Sequence, residues 1–489
     1  MQDNDKIVQN KELSLGEALI PVLVLIALLA LNIFVYDGGM IGEYSNQIIL
    51  LIAGAVAAIM GFTNQTSAAT MVNEVIANLR SVLVPILILC LVGALAGTWL
   101  VSGIIPAMVY YGLDILSPAI FLPASVIIAA IISIATGSSW TTSATVGIAL
   151  IGIGQAMGIS GGMIAGAVIS GAYFGDKMSP LSDTTNLAPA MAGTDLFTHI
   201  RYMTLTTVPS ILITLAIFGL ISLGIDTSGE ADVSGIQTVI AQTFNITPML
   251  FLVPVVVIAL IVFKTKPLIA LATGVLLAAV FAFIYQPAIL EGIQPSKGSA
   301  IAQAIFTDSS VATTREDLNE LFSAGGMYGM LWTILLIIAA MIFGGLMDGI
   351  GALARITKSL LQLAKSVFGL FASTVASCLA LNITASDQYL AIVVPGKMFD
   401  KAYKDRGLAP ENLSRTLEDS GTVTSVLIPW NTCGAYQSAT LGVGVGEYFI
   451  YAIFNYLSPF MTLFFAAFRI KIRMRLDASE EHQANKTFA

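Results

Sequence analysis

The chain has 489 residues, of which 56% are hydrophobic and 11% are charged, and its formal net charge is −8. Its mean hydropathy is +0.86, which a soluble domain of this length could reach only by exposing a very large apolar surface. The composition therefore predicts a protein of the lipid bilayer and argues against a nucleic-acid partner, because the sequence has no basic patch.

Apolar runs long enough to cross a hydrocarbon core of ~30 Å as helices recur along the whole chain. They predict an all-α polytopic membrane protein with membrane segments near 15–36, 47–63, 82–103, 118–135, 143–158, 162–190, 202–223, 249–263, 268–285, 327–348, 367–381, 386–396, 413–444 and 447–468. Polar stretches follow two of these runs at once, at Thr136–Ser143 and at Asn382–Gln388. Each of these pairs predicts a helical hairpin with a polar tip.

The basic residues predict the orientation. If the N-terminus is cytoplasmic, only Lys297 and Arg315 of the 22 Lys and Arg residues fall on the outside, which agrees with the positive-inside rule. We therefore expect a multi-pass protein of the inner (cytoplasmic) membrane with both termini in the cytoplasm. The expected parts are a tail at 1–14, a repeat at 15–225, an external linker at 226–248, a second repeat at 249–470 with an external loop at 286–326, and a tail at 471–489.

Self-comparison predicts an internal repeat. A shift of 246 residues lays Leu100 on Leu346 and the first hairpin tip on the second, with Thr141 opposite Asp387. Each half then holds about five spanning helices, a hairpin and a broken helix. An odd number of crossings makes the second half enter from the opposite side, so we expect two inverted-topology repeats with a site near the midplane.

Polar residues follow the apolar run 162–174 without a spacer. Pro180 interrupts any continuous helix there and frees backbone carbonyls, which is tolerable only beside protein or water. Na+ prefers oxygen ligands, and this stretch supplies candidates for binding it: Asp176, Ser182, Asp183, Thr184 and Asn186. The alternative is a cytoplasmic loop with solvated charges. Lys177 either neutralises a nearby carboxylate or snorkels to the interface.

The second half offers a corresponding set of polar residues. Candidate ligands at its hairpin tip are Asn382, Thr384, Ser386 and Asp387, and the interruption of the next helix adds Asn431 and Thr432. Intramembrane acids are usually functional, so Asp176, Asp183 and Asp387 are expected to hold Na+ and to carry protons in turn. The alternative for Asp387 is an acid that only caps its hairpin. Glu418 and Asp419 either belong to the site or lie near the cytoplasmic mouth.

The first hairpin tip offers hydroxyl groups rather than acids. Ser138, Ser139 and Thr141 either bind the ion or only satisfy backbone groups at the tip. Trp140 and Trp430, beside the interruptions, either gate a cavity or pack. Neither His199 nor His482 lies in a deep apolar run, so the sequence does not support a histidine proton relay.

Two of these stretches resemble a known family. Gly137-Ser138-Ser139-Trp140-Thr141-Thr142-Ser143 and Gly175–Asn186 are similar to motifs of the NhaC family of Na+/H+ antiporters, within the ion transporter superfamily, and the likeness covers nearly the full chain. The resemblance implies Na+ efflux against H+ entry by alternating access, opposed hairpins, a bacterial inner membrane and compatibility with a homodimer. It implies no cofactor beyond the transported Na+ and H+.

One alternative within transport is an organic-anion exchanger. Relatives in the family couple the same ions to malate and lactate, so a small carboxylate is a candidate substrate. Dicarboxylate carriers of the superfamily hold their substrate with two Ser-Asn-Thr tips, and those triplets are absent here. A passive channel would not need the aspartates, and a drug or amino-acid exchanger stays open. An intramembrane enzyme is not supported, because the sequence lacks His-Glu-x-x-His and Gly-x-Gly-Asp.

Overall fold

The computed structural model describes residues 12–36, 39–225, 233–315, 318–319 and 321–475. Most of the two tails predicted at 1–14 and 471–489 lies outside the described residues, as does the first part of the linker predicted at 226–248. The described part is built almost entirely from helices.

The first half of the chain contains eleven of the helices that the structure describes and one short strand, β1 (Met40–Glu43). The helices are α1 (Leu15–Tyr36), α2 (Ser45–Thr63), α3 (Ala68–Ser81), α4 (Leu83–Val101), α5 (Ile104–Ile115), α6 (Pro118–Thr136), α7 (Ser139–Thr142), α8 (Ile148–Ala156), α9 (Gly161–Met178), α10 (Asp183–Ala192) and α11 (Leu196–Leu223). A π-helical turn, Ser143–Gly147, joins α7 to α8.

The second half begins with α12 (Val233–Thr243), a 3-10 turn (Pro248–Phe251), α13 (Leu252–Val262), α14 (Pro267–Tyr285), α15 (Pro287–Ile293) and α16 (Lys297–Phe306). Strands β2 (Ser309–Ser310) and β3 (Ser323–Ala324) pair in antiparallel fashion. The helices that follow are α17 (Gly326–Gly329), α18 (Leu331–Gly349), α19 (Ala352–Gln362), α20 (Val367–Thr384) and α21 (Gln388–Asp405).

The chain then forms α22 (Pro410–Leu417), a π-turn (Glu418–Thr422), a 3-10 turn (Ser425–Leu427), α23 (Thr432–Leu441), α24 (Val445–Tyr448), a 3-10 turn (Phe449–Tyr451) and α25 (Ile453–Ala467). Within the described residues, eight helical segments are long and apolar enough to cross a membrane. The number rises to ten if each of two bent helix pairs, bent by 87° and 52°, forms one span. The predicted all-α polytopic architecture is confirmed.

Several segments predicted as loops are helical. The stretches 64–81, 104–117 and 349–366 contain α3, α5 and α19, which are shorter than a membrane span and so escape a search for apolar runs. The loop predicted at 286–326 holds α15 and α16, and α16 buries Ala300, Ile301 and Ala304 against α4. This segment is therefore a packed part of the protein.

The predicted hairpins and broken helices are present. The first hairpin turns between α6 and α7, and the second turns between α20 and α21. The first broken helix is interrupted between α9 and α10, and the second between the 3-10 turn Ser425–Leu427 and α23. Gly137 at the first tip has φ +69°, and a Cβ there would lie 2.6 Å from Leu181, so only glycine fits this close approach of tip and break.

Backbone features of the described residues recur in the two halves of the chain at an offset of 249 residues, compared with the predicted 246. Residues with positive φ recur 249 residues apart in three pairs: Gly137 and Ser386, Gly158 and Gly407, and Gly193 and Gly442. N-cap residues recur at the same spacing, with Ser138 opposite Asp387 and Ser182 opposite Asn431. Backbone turns and caps carry the repeat more clearly than side-chain identity does, and they place Ser138 instead of Thr141 opposite Asp387. The inversion of the two repeats stays a prediction.

Candidate functional site

The two hairpin tips and the two helix breaks meet around one cavity of about 520 Å³. Both repeats contribute polar side chains to its lining: Ser138, Thr141, Asp176, Ser182, Asp183, Thr184, Asp387 and Thr432. Eight of the residues singled out from the sequence thus share one space, although they come from segments far apart in the chain. The cavity is the candidate site.

Hydrogen bonds between the first hairpin tip and an aspartate fix the end of α9, the first part of the first broken helix. Asp176 lies in the last turn of α9, and its Oδ2 accepts hydrogen bonds from the Ser139 amide at 3.0 Å and the Ser139 hydroxyl at 2.7 Å. Two donors to one carboxylate oxygen stabilise its charged form. Ser138 caps α7 and accepts from the Thr141 amide and hydroxyl. The tip hydroxyls therefore satisfy local groups, and Ser139 also orients Asp176.

Close packing of two helices sets the position of Asp176. A Cβ on Gly175 would lie 2.4 Å from the carbonyl oxygen of Ala130 on α6, so glycine is required for this approach. The Ser133 hydroxyl donates to the carbonyl of Ala172 at 2.6 Å. These contacts seat the end of α9 against the hairpin arm, beside the tip that carries Ser139.

The first break presents an exposed acid at a helix start. Ser182 caps α10 by accepting from the Thr185 amide, and Asp183 follows as the first residue of the helix. A carboxylate at this place is stabilised by the positive end of the helix dipole. Asp183 is exposed and lines the cavity. Asn186 is also exposed but donates to the carbonyls of Pro180 and Ser182, so it supports the break rather than the cavity.

The second hairpin tip contributes one acid. Asp387 is 8% exposed and caps α21, because its Oδ1 accepts from the amides of Tyr389 and Leu390 at 2.8 and 3.0 Å. Its side chain also lines the cavity, and within the described residues no donor reaches its Oδ2. Asp387 thus caps its helix and also lines the cavity, so its capping role leaves it among the candidate ligands.

The remaining candidates of the second repeat mostly support the backbone. Asn382 donates to the Gly421 carbonyl at 2.8 Å and accepts from Asn431, which itself caps α23. The Thr384 hydroxyl donates to the carbonyl of Ala380 one turn earlier. Ser386 is buried with φ +60° and does not line the cavity.

Thr432 is the member of this group that lines the cavity. Within the described residues, no three His, Cys, Asp or Glu side chains come together in a group that could hold one metal ion. Asp176, Asp183 and Asp387 share the cavity without forming one compact ligand set in this conformation. Hydroxyl and backbone oxygens at the tips and breaks are the further ligands within the same space.

Two adjacent acids, for which the sequence left open a place in the site or near the cytoplasmic mouth, are fully buried. Glu418 and Asp419 are both 0% exposed. Asp419 forms an ion pair with Lys177, and Glu418 accepts from the Thr184 hydroxyl at 3.0 Å. Lys177 therefore neutralises a carboxylate of the other repeat instead of snorkelling. Read at an offset of 249, the two acids fall on Ile169 and Ser170 in the buried stretch of α9, so the correct register would have predicted their burial.

The structure also places the histidine and the two tryptophans that the sequence analysis considered. His199 is fully buried and its Nδ1 lies 2.8 Å from the Ser414 hydroxyl, although it does not belong to a deep apolar run. Trp140 lines the cavity and stacks on Tyr436 with ring centroids 4.0 Å apart. Trp430 donates from Nε1 to the carbonyl of Ile383, which is a packing role.

Exposed lysines flank the cavity on one side. Lys264 and Lys266, in the turn between α13 and α14, line it together with Ser81 at the end of α3. The cavity is therefore reached from the side of the molecule where this turn lies.

The comparisons with known proteins agree with the resemblance seen in the motifs. The model of a family described as the Na+/H+ antiporter family matches residues 171–470. The chain is 36% identical over 480 residues to the Na+/H+ antiporter NhaC of Alkalihalophilus pseudofirmus, covering 97% of this chain and 99% of that protein. It is 35% identical to the Na+/H+ antiporter NhaC of Bacillus subtilis, covering 78% and 83%. It is also 35% identical to a malate-2H+/Na+-lactate antiporter of Bacillus subtilis, covering 87% and 88%.

Proposed function

We propose that this chain, which belongs to the Na+/H+ antiporter family, extrudes Na+ in exchange for H+ by alternating access. One observation carries the proposal: aspartates from both repeats line a single cavity at the point where the helices are interrupted. Acids at such a place suit a cation that moves through the protein, because intramembrane carboxylates are costly unless they act on ions or protons.

The three aspartates contribute to Na+ binding in different ways. Asp183 is exposed in the cavity and Asp387 has a carboxylate oxygen without a donor among the described residues, so these two offer free oxygens to Na+. Asp176 is already held by Ser139 and adds a third charge. A carboxylate that loses Na+ can take up a proton in its place, so competition for the same oxygens couples the two ions. The exchange uses Na+ and H+ and no cofactor.

The conformation corresponds to the inward-facing state of this cycle. Lys264 and Lys266 flank the cavity, and positively charged loops lie on the cytoplasmic side of membrane proteins. In this scheme both termini are cytoplasmic and the protein lies in the inner membrane. The aspartates release protons to the cytoplasm, bind Na+ and reorient, and outside protons then displace Na+.

A second candidate is exchange coupled to a small carboxylate. Three helix N-termini reach the cavity: those of α10 and α23 through their first residues, and that of α21 through its cap. Lys264 and Lys266 add positive charge. Helix N-termini and lysines together favour an anion, and a malate/lactate antiporter is among the similar proteins. The aspartates favour the cation over this alternative.

The deciding experiment measures Na+-induced collapse of an imposed pH gradient in proteoliposomes. The protein is compared with Asp183→Asn and Asp387→Asn, with and without malate and lactate, and Asp400→Asn serves as control because Asp400 pairs with Lys404 away from the cavity. Collapse by Na+ alone, lost in the two cavity variants and kept in the control, supports Na+/H+ exchange. Collapse only in the presence of an organic acid establishes the carboxylate reading instead.

A further inference from the structure

Two neighbouring acids of the second repeat contact the first repeat next to its cavity aspartates. Glu418 and Asp419 open the π-turn after α22 and are fully buried. Their partners are Thr184 and Lys177, which follow Asp183 and Asp176 directly in the sequence. Each of these two acids of the second repeat thus contacts the residue that follows a cavity aspartate in the first repeat.

The contact to Lys177 is enclosed by hydroxyl groups. The Lys177 ammonium donates to Asp419 Oδ1 and, at 3.0 Å, to the Ser458 hydroxyl. Asp419 Oδ2 accepts from Thr206 at 2.8 Å and from Thr462. The Ser458 hydroxyl also donates to Oδ1 at 3.3 Å, so four donors surround this carboxylate. Both charges are fully buried, and breaking the pair would leave an uncompensated charge in the interior. The end of α9 is therefore firmly fixed to the second repeat.

The contact to Thr184 holds the other side of the break. The Thr184 hydroxyl donates to Glu418 Oε1 at 3.0 Å, one residue into α10 from Asp183. The Thr185 hydroxyl lies 3.2 Å from the carbonyl oxygen of Asp176 and 3.1 Å from that of Lys177. The start of α10 is thereby held both to α9 and to the second repeat.

We propose that Glu418 and Asp419 are positioning residues that set the separation of Asp176 from Asp183 and, through it, the ion size that the cavity selects. The inference deepens the proposed function and rests on it. A helix break removes the regular backbone hydrogen bonds that would fix two side chains seven residues apart. Selection among hard cations depends on cavity size and on how rigidly the oxygens are held. The two acids supply that rigidity across the break.

The Glu418→Gln variant distinguishes a positioning role from direct binding of Na+ or H+. Glu418→Gln keeps an oxygen that accepts from Thr184 but removes the ionisable group, whereas Glu418→Ala removes both. Thr184→Val removes the hydroxyl donor with little change of volume. Apparent KM values for Li+, Na+ and K+ and the maximal rates are measured in proteoliposomes for all three variants. Glu411→Gln is the matched control, since Glu411 is a buried acid of the preceding helix, α22, that pairs with Arg473.

We expect Glu418→Gln to keep the Na+ KM within about 2-fold, and Glu418→Ala and Thr184→Val to raise it about 10-fold while the Li+ to Na+ to K+ ratios flatten, because a small displacement of a binding group is costly. Loss of exchange in Glu418→Gln would overturn positioning in favour of a direct role for the ionisable group. Unchanged ratios in Thr184→Val would overturn it as well.

The ion pair gives an independent test. Lys177→Met together with Asp419→Asn removes both buried charges, so the double variant folds without an unpaired charge. We expect a maximal rate within about 3-fold of the parent protein but flattened Li+ to Na+ to K+ ratios, because a loosened break misplaces the oxygens. Retention of the parent ratios contradicts the inference. If the parent protein itself shows no response to Na+, the proposed function fails, and that result is distinct from either outcome.

Discussion

The two repeats use the same backbone devices and place their charges differently. At the hairpin tips, Gly137 and Ser386 share positive φ, and Ser138 and Asp387 both cap the helix that follows. At the breaks, Ser182 and Asn431 are both N-caps. The first repeat therefore has a hydroxyl tip and an acidic break, and the second has an acidic tip and a polar break without an acid.

This difference explains how a duplicated fold builds an asymmetric site. Capping needs only a short side chain with an acceptor oxygen, so serine, aspartate and asparagine all serve. Because capping does not require a charge, the needs of ion binding can determine which cap carries one. The same holds for the buried acids, because Glu418 and Asp419 stand opposite Ile169 and Ser170 at the offset of 249 residues.

The largest effect is expected where one repeat has a charge that the other lacks. Lys177→Val copies Val426, its counterpart in the second repeat, and leaves Asp419 buried without its ammonium partner. We expect a loss of about 3–5 kcal/mol in the free energy of unfolding. The thermal unfolding midpoint in detergent measures it. Adding Asp419→Ser, which copies Ser170, recovers most of the loss; no recovery would show that the ion pair is not the cause.

The second largest effect is expected from a variant in which the second tip resembles the first. Asp387→Ser keeps a helix cap but removes the carboxylate from the cavity. Because the cap is preserved, the fold is kept while Na+-dependent proton exchange falls about 100-fold, equivalent to about 2.7 kcal/mol. The rate of gradient collapse in proteoliposomes is the measurement. The companion variant is Ser138→Asp, which adds a carboxylate to the first tip. Equal losses of Na+-dependent exchange in both variants would mean that exchange does not depend on the carboxylate of the second tip in particular.

Part of this arrangement was predictable from the sequence. Pro180 and the polar stretch around it predicted the first break, and the residues after 381 predicted the second tip, because helix breakers and polar groups are costly in lipid. The short helices α5 and α16 were missed, since their apolar runs fall below the length of a span. The pairing of Lys177 with Asp419 joins residues 242 apart, which no local pattern reveals.

A third prediction compares Gly137 and Ser386, the residues with positive φ at the two hairpin tips. Gly137→Ala forces a side chain into the left-handed region and places its Cβ against Leu181, so we expect a loss of about 2 kcal/mol or more. Ser386 already bears that conformation, and its hydroxyl has no hydrogen-bond partner in the described part of the chain. Ser386→Ala should therefore change stability by less than about 0.5 kcal/mol. Equal losses in thermal unfolding would contradict the comparison.

The smallest effect separates the two caps at the breaks. Ser182→Ala removes the acceptor for the Thr185 amide and should cost about 1 kcal/mol. Asn431→Ala removes the acceptor for Cys433 and also two donations to Asn382, so its cost should be about 1 kcal/mol larger. Asn431→Ser, which copies Ser182, restores the cap alone and should recover about half of the loss of Asn431→Ala in thermal unfolding. A value equal to that of Asn431→Ala would mean that the link from the second break to its hairpin tip, and not the cap, holds this break in place.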